Sequence, residues 1–230
     1  MIRIVLWDID GTLLDFPAAE RGAIRKCFEL FQLGTCTDAM LQDYSAINEV
    51  YWKRLERGEM AKKDILVHRF IDFFTKYSLD TAVAPAFNAE YQVRLGDFAY
   101  LYEGAKDTIL TLKAHGIRQV AVTNGTKVAQ VKKLRTTGLD ALLDEVCISE
   151  DIGAEKPNPA FFAEMFRRIG TDNTEEMLIV GDSLTSDIQG GINVGIKTCW
   201  FHDREAVNTT SLRPDYEIRR LADVLPIVLG

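Results

Sequence analysis

The stretch Trp7-Asp8-Ile9-Asp10-Gly11-Thr12-Leu13-Leu14-Asp15 follows a short apolar run and carries two carboxylates separated by one residue. Residues two apart in an extended strand project to the same side, roughly 6 to 7 Å apart. Asp8 and Asp10 are therefore predicted to face one point just beyond the end of a strand. Gly11 then permits a sharp turn of the chain. Because acidic residues also end strands in ordinary turns, the function of this stretch depends on what the rest of the chain brings to it.

Length and composition are those of a globular protein. The chain has 230 residues, of which 47% are hydrophobic and 27% charged. It is long enough to bury a sizeable core, as one domain or as a domain with an insertion. The formal net charge of −7 is not offset by a cluster of lysine and arginine, which argues against a nucleic-acid partner. Apolar runs stay well short of the roughly 18 residues of a membrane span, so no membrane partner is predicted.

The cysteines and the first residues indicate a cytoplasmic location. The four cysteines are Cys27, Cys36, Cys147 and Cys199. Their spacing is that of neither a zinc site nor a disulfide framework, which favours reduced thiols. Residues 1–7 are apolar but run directly into Asp8, unlike the longer apolar core of a signal peptide.

Apolar periodicity divides the chain into two parts. Across residues 18–97, apolar positions recur three or four apart, which predicts about four amphipathic helices in a small bundle. From residue 101 onward, short apolar runs alternate with helical stretches. The predicted strands there are 119–122, 145–148, 177–180 and 196–200. We therefore predict an α/β core of residues 1–17 and 98–230 with a parallel sheet, and an inserted helical domain of residues 18–97.

Two further motifs lie where ligands bind on such sheets, beyond the carboxyl ends of the strands. Thr123-Asn124-Gly125 stands between a predicted strand and a helix. Free backbone amides and the Thr123 hydroxyl there could bind an anion, although an ordinary Asn-Gly turn is the alternative. Lys156 precedes Pro157-Asn158-Pro159, a sequence that favours an extended lysine backbone followed directly by a helix start. These residues are candidates for binding a phosphate and for supplying a fixed cation.

The last motif, Gly181-Asp182-Ser183-Leu184-Thr185-Ser186-Asp187, again follows a predicted strand. In order and placement the four motifs resemble those of the haloacid dehalogenase superfamily. The resemblance implies a Rossmann-like core with a small helical (C1-type) cap, hinged near 16–17 and 98–103. It also implies that Asp8 attacks phosphorus and that Asp10 is the general acid and base.

The remaining site residues receive their roles from the same resemblance. Thr123, with Asn124 and Gly125, would hold the transferred phosphoryl group. Lys156 would neutralise the nucleophile and the phosphate, and Asp182 would bind a metal ion. Asp187 is predicted only to orient Lys156 or the metal waters.

Charge repulsion supports a metal ion at this site. Asp8, Asp10 and Asp182 could not converge on a phosphate dianion without several kcal/mol of repulsion unless a cation lay among them. Oxygen ligands with several waters suit Mg²⁺. We predict Mg²⁺ as the cofactor, held by Asp8, the backbone carbonyl of Asp10, and Asp182.

Within the superfamily, the resemblance is to the house-cleaning pyrimidine 5′-nucleotidases, and it is carried by residues 54–59, by 137–139 through 156–157, and by 181–182 through 190–195 with 198–200. The resemblance implies a Mg²⁺-dependent phosphatase for nucleoside 5′-monophosphates that works through an aspartyl-phosphate. The alternatives are a phosphoglycolate or sugar phosphatase, then a phosphomutase, a haloacid dehalogenase, and a non-enzymatic binding protein. The cap is expected to close over the substrate and carry specificity. By position, the loop 57–62, with Arg57, Gly58 and Lys62, is the predicted specificity element, and the oligomeric state stays open.

Overall fold

The structure is a computed structural model that describes residues 1–202 and 206–230. In these residues six parallel strands form one sheet, in the order β3-β2-β1-β4-β5-β6. The strands are β1 Ile4–Trp7, β2 Arg118–Thr123, β3 Glu145–Ile148, β4 Met177–Gly181, β5 Lys197–Phe201 and β6 Tyr216–Ile218. β1 lies between β2 and β4, so the strand order reverses beside it, and such a reversal opens a crevice for ligands.

Helices account for most of the remaining described chain. They are α1 Phe16–Leu30, α2 Asp38–Glu56, α3 Lys62–Lys76, α4 Ala84–Leu95, α5 Ala105–Ala114, α6 Lys127–Thr137, α7 Ser149–Ile152, α8 Pro159–Ile169, α9 Gln189–Val194 and α10 Val224–Leu229. The predicted fold class, a parallel α/β core with added helices, is confirmed. A search of the described helices finds none with the length and apolar character needed to cross a membrane.

Both faces of the sheet are covered by helices. Val5 and Trp7 of β1 pack into one cluster with residues of α5 and α10. Ile4 and Leu6, which point to the opposite face, pack into a second cluster with α8. Because both faces are buried, the central strands are apolar throughout, which is why their sequences do not alternate with polar residues.

Helices α1 to α4 pack around their own cluster of aromatic rings. Phe70 lies at its centre and is fully buried. Its ring centroid is 5.0 Å from that of Tyr44, 4.9 Å from that of Phe87 and 5.2 Å from that of Tyr91. Aromatic pairs at these separations stabilise a core beyond the area they bury. The rings of this cluster therefore form a packed core rather than a ligand cage.

The two connections between the sheet and these helices run side by side. Leu14 forms an isolated bridge with Leu101, and the backbone N–H of Asp15 donates to the carbonyl of Tyr100 at 2.9 Å. The Asp15 carboxylate then caps α1 by accepting from the N–H of Ala18 at 2.9 Å. The two chain segments that connect the helical unit to the core are therefore hydrogen-bonded to each other next to the end of β1.

Replacing Phe70 with alanine should lower the free energy of unfolding by about 3 to 5 kcal/mol, because it leaves a cavity among four or more rings. The measurement is urea unfolding followed by tryptophan fluorescence and circular dichroism. Val50→Ala on the exposed face of α2 is the matched control and should change stability by less than about 0.5 kcal/mol. Equal losses in the two variants would contradict the packing argument.

Candidate active site

A cavity of about 540 Å³ lies between the carboxyl ends of β1, β2 and β4 on one side and helices α1 and α2 on the other. Its sheet side is lined by Asp8, Asp10, Thr123, Asn124, Gly125, Lys156, Asp182, Ser183, Ser186 and Asp187. The structure therefore brings together all the core residues that the sequence singled out. They converge because parallel strands end at one edge of the sheet, so that motifs far apart in sequence meet there.

Lys156 is the centre of the hydrogen bonds at this edge. Its Nζ donates to Asp8 Oδ1 at 2.8 Å, to Asp187 Oδ1 at 2.6 Å and to the carbonyl of Val122 at 2.6 Å. The side chain is 1% exposed. Burial alone would lower the pKa of Lys156, but the carboxylates of Asp187 and Asp8 outweigh it and raise the pKa above its ordinary value. Lys156 is therefore a fixed cation.

Asn124 holds the backbone of Lys156 in place. Its Oδ1 accepts from the Lys156 N–H at 2.9 Å, and its Nδ2 donates to the Lys156 carbonyl at 2.8 Å. The Thr123 hydroxyl oxygen accepts from the N–H of Gly125 at 3.0 Å. The three residues predicted to bind phosphate thus line the cavity, and Asn124 also positions the lysine.

Asp8 has one satisfied and one unsatisfied carboxylate oxygen. Oδ1 is held by Lys156, whereas Oδ2 is buried and has no hydrogen-bond partner among the described residues. Burial raises the pKa of Asp8 to about 7 despite the attraction of Lys156, and the charge of Asp187 adds to the shift. Leaving a buried carboxylate oxygen without a donor is costly. This atom is therefore where an additional cation or a substrate would be most stabilising.

Three carboxylates form a possible metal site. Asp8, Asp182 and Asp187 each offer an oxygen, and these oxygens lie within 4.8 Å of one another. Both oxygens of Asp187 are already engaged, by Lys156 and by the N–H of Ser183 at 3.1 Å. Asp8 and Asp182 are therefore the better placed ligands, and such oxygen donors suit Mg²⁺. The third predicted ligand, the backbone carbonyl of Asp10, stays a prediction.

Asp182 is open to the cavity but closely surrounded by protein. Restricted solvation, together with the carboxylates of Asp8 and Asp187, raises its pKa well above the ordinary value. The Trp200 indole N–H donates to the Asp182 carbonyl at 2.8 Å and so fixes this turn. Gly11 has φ +94°, and a Cβ there would lie 2.5 Å from the Asp182 carboxylate, so only glycine fits.

The Asp10 carboxylate is bound by two residues that lie outside the predicted motifs. Gln130 Nε2 donates to Asp10 Oδ2 at 2.6 Å, and Lys133 Nζ donates to Asp10 Oδ1 at 2.6 Å. A Cβ on Gly125 would lie 1.9 Å from the Gln130 amide, so a larger residue at position 125 would displace the Gln130 side chain from Asp10. Gln130 and Lys133 lie three apart on α6, which follows the second motif. This spacing places both side chains on one face of the helix, but only the fold brings that face to Asp10.

The other wall of the cavity comes mainly from α2. It consists of Ser45, Asn48, Glu49, Trp52 and Glu56, with Phe16, Pro17 and Glu20 at the start of α1. Glu56 reaches the core, where it accepts from Ser183 Oγ at 3.3 Å and from Thr185 Oγ1 at 2.5 Å. The last turn of α2 thus contacts the loop that follows β4.

The predicted specificity loop does not line this cavity. Arg57 pairs with Glu59 at 2.5 Å, and Gly58 lies in the exposed turn between them. Lys62 Nζ donates to Ser149 Oγ at 2.5 Å and lies 3.6 Å from Glu155. The reason is that α2 ends at Glu56, so the following loop turns past the rim of the cavity. The structure assigns the cavity wall to the inward face of α2 instead.

Comparison with known proteins agrees with this architecture. The family model of haloacid dehalogenase-like hydrolases matches residues 2–195. The putative HAD-hydrolase YfnB of Bacillus subtilis is 35% identical over 98% of this chain and 95% of its own. A crystal structure of YfnB, described as bound to magnesium and revealing interdomain movement, superimposes with a TM-score of 0.92 at 36% identity, over 99% of this chain and 98% of that one.

Two other relatives carry more specific names. Pyrimidine 5′-nucleotidase PynA of Streptococcus pneumoniae is 32% identical over 97% of this chain and 93% of its own. A glyceraldehyde 3-phosphate phosphatase of Methanopyrus kandleri is 35% identical over 99% of this chain and 97% of its own. The chain belongs to the haloacid dehalogenase-like hydrolase family. Within it the protein is a phosphatase related to the pyrimidine 5′-nucleotidases, as its motifs predicted.

Magnesium should raise the unfolding temperature of the protein, because an ion that binds only the folded state adds about 2.7 kcal/mol at 100 times its Kd. The increase should be larger at pH 8 than at pH 6, since the Asp8 carboxyl, with a pKa of about 7, must lose its proton to serve as a ligand. Differential scanning fluorimetry with and without Mg²⁺ measures both effects.

Asp182→Ala should remove most of this stabilisation, whereas Asp172→Ala, at an exposed position outside the cavity, should keep it. An undiminished magnesium effect in Asp182→Ala would show that the ion binds elsewhere.

Proposed function

We propose that the protein is a Mg²⁺-dependent phosphatase that hydrolyses nucleoside 5′-monophosphates, with a preference for pyrimidines, through an aspartyl-phosphate on Asp8. The observation that carries the proposal is the state of the Asp8 carboxylate. It lies at the base of a cavity with one oxygen on a buried lysine and the other without a partner. A carboxylate held at one oxygen presents the other to an electrophile.

The chemistry follows from the placement of the groups. Asp8 attacks phosphorus, and the leaving alkoxide takes a proton from Asp10. Asp10 then deprotonates the water that hydrolyses the aspartyl-phosphate, which releases phosphate and restores Asp8. Lys156 remains bonded to Asp8 and balances negative charge throughout. A bound Mg²⁺, held by Asp8 and Asp182, would supply the further neutralisation that allows a carboxylate to approach a phosphate. In this proposal Asp10 leaves Gln130 and Lys133 when a substrate binds and takes up a proton from solvent, which it then gives to the leaving oxygen and regains from the attacking water.

The wall of α2 supports a nucleoside as the remainder of the substrate. Trp52 is half-buried on this wall, and its indole N–H has no hydrogen-bond partner among the described residues. A flat indole face suits the stacking of a nucleobase. Residues 18–97 would then act as a cap that excludes water and supplies specificity. A cytoplasmic location, where nucleotides are abundant, is part of the same proposal.

Glyceraldehyde 3-phosphate is the second candidate substrate. It is favoured by the name of the Methanopyrus kandleri relative, which matches nearly the full length of this chain at 35% identity. A three-carbon phosphate would fill less of the cavity and would not need the indole of Trp52. A dehalogenase is disfavoured because Asp10, the proposed acid and base, has no role in that reaction. Product analysis separates hydrolysis from transfer to a second substrate, the phosphomutase alternative.

Asp8→Asn should lower kcat by roughly 10³-fold or more, because an amide is a poor nucleophile at phosphorus. Phosphate release from uridine 5′-monophosphate and from p-nitrophenyl phosphate measures the loss, with circular dichroism to check the fold. Asp107→Asn makes the same chemical change at an exposed position of α5 and should retain full activity. Activity of Asp8→Asn within tenfold of the unsubstituted protein would remove Asp8 from the nucleophile role.

Trp52→Ala should lower kcat/KM for uridine 5′-monophosphate by roughly 10 to 100-fold, because a base stacked on an aromatic ring contributes about 1 to 3 kcal/mol. Glyceraldehyde 3-phosphate, which has no ring, should be affected by less than about threefold. Trp52→Phe keeps a flat ring and should recover most of the nucleotide activity. A parallel loss for both substrates would indicate that Trp52 is structural and would count against the nucleotide assignment.

A further inference from the structure

The wall that α1 and α2 contribute to the cavity is acidic. Glu20, Glu49 and Glu56 all line it. Among the described residues of the lining, Lys156 is the one basic side chain, and it is bonded to Asp8 and Asp187 on the sheet side. The cavity therefore has a cation where the transferred phosphoryl group would bind, and carboxylates where the rest of the substrate would lie.

Glu56 is the clearest of these charges. It is half-buried, and its hydrogen-bond partners are the uncharged hydroxyls of Ser183 and Thr185. Glu20 is buried and likewise accepts from uncharged groups, the Ser45 hydroxyl and the Asn48 amide. Hydroxyl and amide donors satisfy the oxygens of a carboxylate but do not cancel its charge. Near Glu20, however, the buried Arg69 guanidinium donates to Asn48 Oδ1 at 2.6 Å and offsets part of the charge, and burial raises the pKa of the Glu20 carboxyl. The negative charge of this wall is therefore carried mainly by Glu56 and Glu49.

Glu49 differs because it forms an ion pair with Lys53. Lys53 does not line the cavity, and both side chains are at least half exposed, so solvent weakens the pair. Glu49 thus adds an accessible negative charge at the mouth of the cavity. A substitution there leaves the contacts of Glu56 with the core intact.

From this distribution we propose that the acidic wall selects substrates whose single anionic group is the transferred phosphoryl group. Hydroxyl and ring N–H groups of an uncharged remainder can donate to the glutamates. A second phosphate or a carboxylate would face like charges in a partly enclosed cavity and is excluded. The inference rests on the proposed phosphatase function. It adds that a substrate, whether a nucleotide or a smaller phosphate ester, carries no anionic group besides the transferred phosphoryl group.

Matched substrate pairs differ at one position, where one member of the pair carries a second anionic group. Uridine 5′-monophosphate and uridine 3′,5′-bisphosphate share the nucleoside and the scissile 5′-phosphate. Glyceraldehyde 3-phosphate has an aldehyde at the carbon where 3-phosphoglycerate has a carboxylate. For each pair, we expect the member with the single anionic group to have the higher kcat/KM, by on the order of 100-fold at low salt. Added salt should narrow this ratio, because it screens the glutamates.

Charge-removing variants test which residues are responsible. Glu56→Gln keeps one of the two oxygen acceptors and replaces the other with an NH2 donor, to which the Ser183 or Thr185 hydroxyl can turn its oxygen. Glu49→Gln frees Lys53. Each should reduce the ratio within a substrate pair by on the order of tenfold. Glu29→Gln removes the same charge from an exposed position of α1 outside the cavity and should leave the ratio unchanged. Both kcat/KM values of a substrate pair are measured on the same variant. A general loss of activity therefore lowers both values and leaves their ratio unchanged.

The outcomes separate this inference from the proposed function. Equal kcat/KM within both substrate pairs would overturn the inference and leave the phosphatase function standing. Ratios that stay the same in Glu56→Gln and Glu49→Gln would show that the acidic wall is not the cause, which also overturns it. Absence of hydrolysis with all four substrates would overturn the proposed function, and the inference would fall with it.

Discussion

The ion pairs of Lys156 are the interaction on which the rest of the site depends. One ammonium group joins Asp8 at the end of β1, Asp187 beyond β4 and the Val122 carbonyl at the end of β2. Removing one partner from a buried ion pair costs about 3 to 5 kcal/mol, because the other charge is left without compensation. The three central strands are therefore linked at their carboxyl ends by one cation. Asn124 fixes the backbone of that cation with two hydrogen bonds.

This cation is not sufficient for the charges that surround it. Asp8, Asp182 and Asp187 lie together, and the pKa values of Asp8 and Asp182 are raised by restricted solvation and by repulsion from neighbouring carboxylates. The folded protein thus holds two carboxylates that favour protonation until another cation arrives. A site with excess negative charge on this scale binds a divalent ion readily, and with the ion bound it can receive a phosphate. On the opposite wall, Glu56 has only uncharged hydroxyls as hydrogen-bond partners, so the two sides of the cavity differ in how they receive an anion.

The core residues of the site were predictable because each ends a strand of one parallel sheet. Once β1, β2 and β4 were recognised from apolar runs, the geometry of such a sheet placed Asp8, Thr123 and Asp182 at one edge. The chemical roles of these residues came from the resemblance of the motifs to the family, and they could be assigned without knowing which side chains touch in the fold. The short strand β6 gave no signal, since it has three residues and lies at the end of the sheet.

The residues that the sequence did not reveal act through tertiary contacts. Gln130 and Lys133 occur on a helix, and their importance comes only from their proximity to Asp10, more than 100 residues earlier. The loop 57–62 was chosen by position, but the orientation of α2 decides which residues face the cavity. Helical periodicity indicates that α2 has a buried face, and Asn48, Tyr51 and Leu55 lie on it. It does not indicate which part of that face meets the neighbouring domain and which part meets a cavity.

Lys133 also connects Asp10 to the helical unit. Its ammonium group lies 5.2 Å from the centre of the Phe16 ring, a distance at which a cation is attracted to an aromatic face. Phe16 is the first residue of α1 and lines the cavity. The group that holds the Asp10 carboxylate therefore also contacts the residue at which the helical unit begins. Any displacement of α1 alters the surroundings of Lys133, so the position of Asp10 and the position of the helices are physically coupled.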